Sequence, residues 1–316
     1  MNIASSASTS RNRSETDPRI IVTMLGTGTP MLNPDRFSQS ILVEAAGRKL
    51  LFDTGRGAIL RLVQAGISPA SVEQVFFTHY HSDHTVGFSD FWLMSWLPAG
   101  GGRKTPLKVV GPTGVQALIE GHRMAFADDI RIRTDDQDLP PEGVQIDFTS
   151  FSTDGVVFDE DGLVVTAFET NHGAKIKPNF GYKIEYAGRT FVISGDTKKD
   201  DRVARVATGA DVLVHSVGAA SKELLARSDI ALILQHHTTP AEAGEIFAAA
   251  APKLAVFTHM VLLGRAGYPP LKPADVVKMT QEKYHGQIVV AEDLLRLEIG
   301  ETVVVQMPEK AGEISA

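Results

Sequence analysis

The chain has 316 residues, 43% of them apolar, and carries 31 Lys and Arg against 38 Asp and Glu, a formal net charge of −7. That length and apolar fraction suit one large domain or two small ones with a sizeable core, while the acidic balance and the lack of a Lys/Arg-rich run argue against a phosphate backbone as the default partner. Cysteine is absent, which excludes disulfides and thiolate ligands and leaves His, Asp and Glu to hold any metal.

Residues 1–19, beginning "MNIASSASTSRNRSETDP", are rich in Ser, Thr and Asn. They lack the apolar run of a secretory signal, so they read as a disordered leader on a cytoplasmic protein. No stretch approaches the roughly eighteen apolar residues of a membrane span, and residues 20–316 read as a single domain. From residue 20 onward short apolar runs alternate with helical patterns: "IIVTML", "SILVEAAG", "RKLLFDTG", "VEQVFFTH", "LKVVGP", "LVVTAFETN", "FGYKIEYAG", "RTFVISGDT", "DVLVHS", "KLAVFTHM" and "QIVVAED" read as strands. "EAAGRKL" and "EYAGRTF" hold the Gly-containing turns of β-hairpins. Strand pairs mixed with helices in both halves imply an α/β fold of two packed sheets with helices outside. The segment 128–162 is acidic, contains "LPPEG" and has the weakest periodicity, which predicts a surface excursion. In "HHTTPAEAG", Thr239 at the N-cap, Pro240 at N1 and Glu242 at N3 predict a helix start with a capping box.

Several apolar runs end in a group able to bind metal or move a proton: Asp53, His79, His172, Asp196, His215 and His259. Strand ends are where side chains distant in sequence converge. The richest is "FTHYHSDH" at 77–84. In extended chain, residues two apart face the same way, so His79 and His81 can meet one ion, while a turn at Ser82 swings Asp83 and His84 toward a second. "LGTGTP" lacks the GK[ST] ending of a phosphate loop and reads as a loop at the rim of the site. In "FSDFWLMSWL", helical spacing places Trp92 and Trp96 in the core or, alternatively, along an apolar substrate pocket.

"HYHSDH", followed by "NHG", "SGDT" and "FTH" in that order, resembles the metallo-β-lactamase superfamily. "LGTGTP", "LLFDTGRGA" and "HHTTPAEAG" look most like its branch of ribonuclease Z and zinc-dependent arylsulfatases. The resemblance implies a four-layer αβ/βα sandwich and two Zn²⁺ per chain, with Mn²⁺ or Fe²⁺ also compatible with the donors. It implies one ion on His79, His81 and His172, the other on Asp83, His84 and His259, and Asp196 bridging them. Asp53 and His215 would support these ligands from behind, Asp83 would accept a proton from water, and His237 would assist the leaving group. Two such ions activate water and polarise an ester oxygen.

Two departures from ribonuclease Z steer the expected substrate. Ser216 stands where those enzymes carry a glutamate after the histidine matching His215, and the candidate for their basic clamping arm, 128–162, is acidic. The expectation is therefore a hydrolase of a small ester, an aryl sulfate or phosphodiester, acting as a homodimer. The alternatives are a ribonuclease Z-type tRNA 3′ endonuclease and a lactone or β-lactam hydrolase. His81, where a di-iron oxidoreductase of this fold would carry glutamate, argues against redox chemistry, and the complete ligand set argues against a metal-free scaffold.

Overall fold

The computed structural model describes residues 19–308; apart from Arg19, the leader expected over 1–19 lies outside the described residues. β1 (Ile20–Gly26), β2 (Ser40–Ala45) and β3 (Arg48–Phe52) form an antiparallel meander. Helix α1 (Ala58–Gln64) leads to β4 (Gln74–Phe76), α2 (Ser82–Thr85) and α3 (Phe88–Trp96) to β5 (Leu107–Pro112), and α4 (Val115–Ala125) and α5 (Ala127–Gln137) to β6 (Ile146–Phe151). From β3 to β6 neighbouring strands run parallel.

The second sheet repeats the plan. β7 (Gly155–Glu160), β8 (Leu163–Glu169), β9 (Phe180–Tyr186) and β10 (Arg189–Ile193) are antiparallel. Helix α6 (Asp201–Val206) then precedes β11 (Val212–Ala219). After it come α7 (Lys222–Leu225), α8 (Ser228–Leu234), α9 (Pro240–Ala250), β12 (Leu254–Leu262), α10 (Pro273–Gln281) and β13 (Ile288–Val290). Strands β10 to β13 are parallel. The chain then returns to the first sheet, where β14 (Leu295–Ile299) pairs with β1 and β15 (Val303–Gln306) closes the edge. The orders are β15-β14-β1-β2-β3-β4-β5-β6 and β13-β12-β11-β10-β9-β8-β7.

Both predicted hairpins form, each on an Ala-Gly pair in the left-handed region: Ala46 and Gly47 at φ 53° and 74°, Ala187 and Gly188 at 49° and 76°. Positive φ at both central residues is the turn whose twist matches the flanking strands. Strand alternation then sorts the side chains. Val22, Met24, Leu50 and Phe52 meet Val165, Ile184, Val212 and Val214 between the sheets. Leu51, Val75 and Phe77 face the opposite way, toward Trp92, Trp96 and Ile119 of the first helical layer, and Leu213 and Phe257 pack on Ile246, Phe247 and Val276 of the second. The result is the expected α/β sandwich of two mixed sheets between helices. The capping box at Thr239 forms as predicted, with Thr239 N–H donating to Glu242 Oε2 at 2.9 Å.

Two expectations need correction. Segment 128–162 is no excursion: it supplies most of α5 and then β6 and β7, the edge strands of the two sheets. Its weak periodicity has a physical cause, since α5 buries no residue and each edge strand fully buries only one. Trp92 and Trp96 do not line the cavity beside His81, Asp83 and His172. Both are fully buried, and their indole N–H groups donate to Val144 O at 3.0 Å and Pro140 O at 2.8 Å, which makes them core.

Candidate metal centre

Residues that follow β3, β4, β8 and β10, together with His259 within β12, converge on one cluster. His79, His81 and His172 bring ligand atoms within 4.8 Å of one another, and so do Asp83, His84 and His259. Asp196 lies between these groups: its Oδ2 is 3.6 Å from His84 Nε2 and 3.7 Å from His172 Nε2, and its Oδ1 is 3.3 Å from His259 Nδ1. Asp83 Oδ2 is 3.0 Å from His259 Nε2. The short helix α2 explains how one hexapeptide serves both groups, because it turns the chain after His81 and presents Asp83 and His84 from its own first turns.

Behind the cluster, Asp53 accepts hydrogen bonds from His84 Nδ1 at 2.7 Å and from Thr78 N and Oγ1, each at 2.8 Å. His172 Nδ1 donates to His236 O at 2.8 Å. Each of these bonds fixes the ring's tautomer and aims Nε2 at the cluster. The loop holding His237 is clamped to the Asp196 segment, since Thr238 N and Oγ1 both donate to Thr197 O at 2.9 Å. His237 lies within ligand distance of His172 and Asp196.

A family model described as the Beta-lactamase superfamily domain matches residues 48–260. The chain belongs to the β-lactamase superfamily. A ribonuclease Z from Mycobacterium marinum is 32% identical over 286 residues, covering 89% of this chain and 99% of the relative. The fold is shared with the metallo-β-lactamase fold protein YhfI from Bacillus subtilis, at a TM-score of 0.67 and 17% identity over 89% of this chain and 99% of that one. Human tRNase Z, short form, superposes at 0.64 with 21% identity, covering 87% and 98%. This superfamily member is a metal-dependent hydrolase. The expected small-ester substrate, and with it the reading of nucleic acid as an unlikely partner, is overturned by that end-to-end similarity to ribonuclease Z, which favours the alternative. The two departures that motivated it carry little weight in the fold: 128–162 is framework, and Ser216 Oγ donates to Gly195 O at 3.2 Å, bracing the backbone before Asp196.

The donors fit the divalent cations that the β-lactamase superfamily fold implies. His84 Nε2 and His259 Nδ1 are buried without a hydrogen-bond partner, an arrangement that is costly unless something else occupies those atoms. Electrostatics agree, because ligating histidines must be neutral and carboxylates ionised. Burial, aided by the neighbouring His84 charge, holds His79 well below the usual imidazole range, and burial likewise lowers His81 and His172. At Asp196 burial works against the charge, yet His259 and His84 hold the carboxyl well below its ordinary value. For His84 burial favours the neutral ring, but Asp53 and Asp196 outweigh it and raise the pKa well above the ordinary value.

His215 does not join the cluster in the supporting role expected of it. It is fully buried in β11, its Nδ1 bonds Ser216 O at 2.6 Å, its ring packs edge-on against Phe247, and no hydrogen bond links it to a ligand. Two contributors went unread in the sequence. Thr78 ties Asp53 in place, and Asp293, buried after β13, accepts from Thr27 N and Oγ1, Phe37 N and Arg61 Nε at 2.7–3.0 Å. Thr27 O in turn accepts from His259 N at 3.1 Å, so Asp293 anchors the "LGTGTP" loop against a ligand strand. An acid inside "QIVVAEDLLRLEI" was the available signal.

Proposed function

We propose that the protein is a ribonuclease Z-type endonuclease that hydrolyses a phosphodiester at the 3′ side of precursor tRNA in the cytoplasm, using two zinc ions. The observation that carries this reading is the 32% identity to a ribonuclease Z across 89% of the chain. Among the described residues no helix is long and apolar enough to cross a membrane. His79, His81 and His172 would hold one ion, Asp83, His84 and His259 the other, with Asp196 shared. When bound, a pair of divalent cations lowers the pKa of water and neutralises charge developing on phosphoryl oxygens.

The chain's own residues supply the rest. Asp83 is kept ionised by the His259 hydrogen bond and the His84 charge against the opposing effect of burial, so its carboxylate can accept the proton of the attacking water. Asp53 and the His236 carbonyl lock the rings of His84 and His172. His237, lining the same cavity as Asp83 and His172, is placed to meet the leaving oxygen. The test is incubation of zinc-loaded protein with a precursor tRNA carrying a 3′ trailer, followed by mapping of the new 3′ end. Cleavage at a single position, abolished by Asp83→Ala, supports the reading; no cleavage above the Asp83→Ala background overturns it.

A further inference from the structure

A cavity of about 580 Å³ opens beside the metal-ligand cluster and has two unlike sides. One side is the cluster itself, with Asp83, His172, Asp196 and His237. The other is aliphatic. Its floor is Ile230, Val261 and Leu263, all buried, and its rim is Met31, Leu232 and Ile233, which are 48%, 62% and 40% exposed. The floor side chains belong to a small separate cluster formed where α7 and α8 pack on the end of β12. Among the described residues nothing covers the three large apolar side chains left in water around the mouth. The volume falls in the range of roughly 300–1,000 Å³ typical of small-ligand pockets.

A phosphodiester group offers nothing to an aliphatic wall, but a nucleobase beside it does. A group bonded to the nucleotide whose phosphate sits at the cluster, flat and apolar on both faces, can slide between Ile233 and the floor with its phosphate kept at the polar side. Resting on the ribonuclease Z reading, we infer that this cavity is a nucleobase subsite, taking the unstacked base of one nucleotide adjoining the cut. Of the polar side chains lining the cavity beside the cluster, Thr29 is buried with its Oγ1 accepting from Met31 N, and His236 Nδ1 donates to His172 O; the base would be held by the aliphatic wall alone, so the subsite accepts all four bases. The charged group at its rim is Arg265, whose guanidinium lies 3.3 Å from Asp229. The subsite selects for an unpaired nucleotide at the scissile position by shape and apolar contact, in the way sequence-tolerant single-strand sites do.

The test uses paired substrates on the zinc-loaded protein. Precursor tRNAs carrying an abasic residue immediately 5′ or immediately 3′ of the cut are compared with the intact RNA, and thymidine 5′-(p-nitrophenyl) phosphate is compared with methyl p-nitrophenyl phosphate. Removing the base on one side only is expected to lower kcat/KM about tenfold, mostly through KM, while exchanging one base for another changes it by less than about threefold. Ile233→Asp, at a position 40% exposed, should erase the difference between each pair, the base-bearing member losing more than the base-free one. Equal losses on both members of a pair, or no effect of base removal on either side, would overturn the subsite. Failure to cut tRNA, with the thymidine preference present and lost in Ile233→Asp, would instead sink the nuclease reading and keep the subsite.

Discussion

Asp53 is the residue whose replacement separates metal binding from folding. It is 2% exposed, sits at φ 57° and accepts bonds from His84 Nδ1, Thr78 N and Thr78 Oγ1. Asp53→Asn preserves a side chain that tolerates left-handed backbone and an oxygen for Thr78 N–H, but removes the charge that holds the His84 ring. Zinc affinity should fall about 10- to 100-fold, the usual cost of losing such a supporting carboxylate. Asp53→Ala adds two costs: about 1–3 kcal/mol for the orphaned buried Thr78 N–H, and about 1–2 kcal/mol for left-handed backbone at an alanine. The expected loss is therefore about 2–5 kcal/mol, a large share of a typical domain's 5–15 kcal/mol or so. Competition with a chromogenic chelator measures the first effect, and urea unfolding of the metal-free protein the second. An Asn variant with wild-type zinc affinity would refute the orientation of His84 by Asp53, and an Ala variant losing under about 1 kcal/mol would refute the burial argument.

Burial lowers the His215 pKa to about 4 from an ordinary 6.5, so between these values the unfolded chain binds a proton that the folded one refuses. Stability is then lost as pH falls from about 6.5 toward 4, by roughly 3 kcal/mol from this group at about 1.4 kcal/mol per unit. His215→Phe should flatten that part of the wild-type stability profile in urea titrations across the range, and a parallel profile would remove His215 as a cause. Trp96→Ala should cost about 3–5 kcal/mol of stability through the cavity it leaves, while turnover per folded molecule stays at the wild-type level; a selective rise in KM would return this tryptophan to the substrate site.

The parts of the fold legible in the sequence are those where burial is one-sided and strong. All eleven apolar runs became strands: ten of them, β1 to β5 and β8 to β12, sit inside the sheets and carry mostly buried residues, while the eleventh, β13, is a half-buried edge strand whose Ile288, Val289 and Val290 still give an apolar run. β6, β7, β14 and β15 were missed. β6, β7 and β15 lie at sheet edges, where one neighbour and solvent leave little apolar demand. β14 was hidden because its pairing with β1 joins opposite ends of the described chain, a contact no local pattern announces. At the site, the seven residues that the resemblance implied as ligands come together in the fold. His215 also ends an apolar run but stays apart from the triads: like His259 it lies within a strand, yet its Nδ1 bonds Ser216 O and its ring packs on Phe247. The aliphatic wall was invisible, as "SDIALIL" is an ordinary amphipathic helix until the fold shows that two of its apolar residues remain uncovered.

The candidate donors are divided between the two sheets. His79, His81, Asp83 and His84 follow β4, whereas His172, Asp196 and His259 come from β8, β10 and β12. Each triad therefore takes members from both sheets: the first is complete once His172 follows β8, the second only when β12 supplies His259. On the ribosome, His259 is the final donor to emerge, so the nascent chain passes through most of its synthesis with its histidines collected but its second triad open. An ion held by the second triad would bind only after His259 is in place, and its occupancy would report that the two sheets have docked. Once both sites can fill, free zinc at a hundred times its dissociation constant would add about 2.7 kcal/mol per site to the folded state, a rivet set only after the plates are in register.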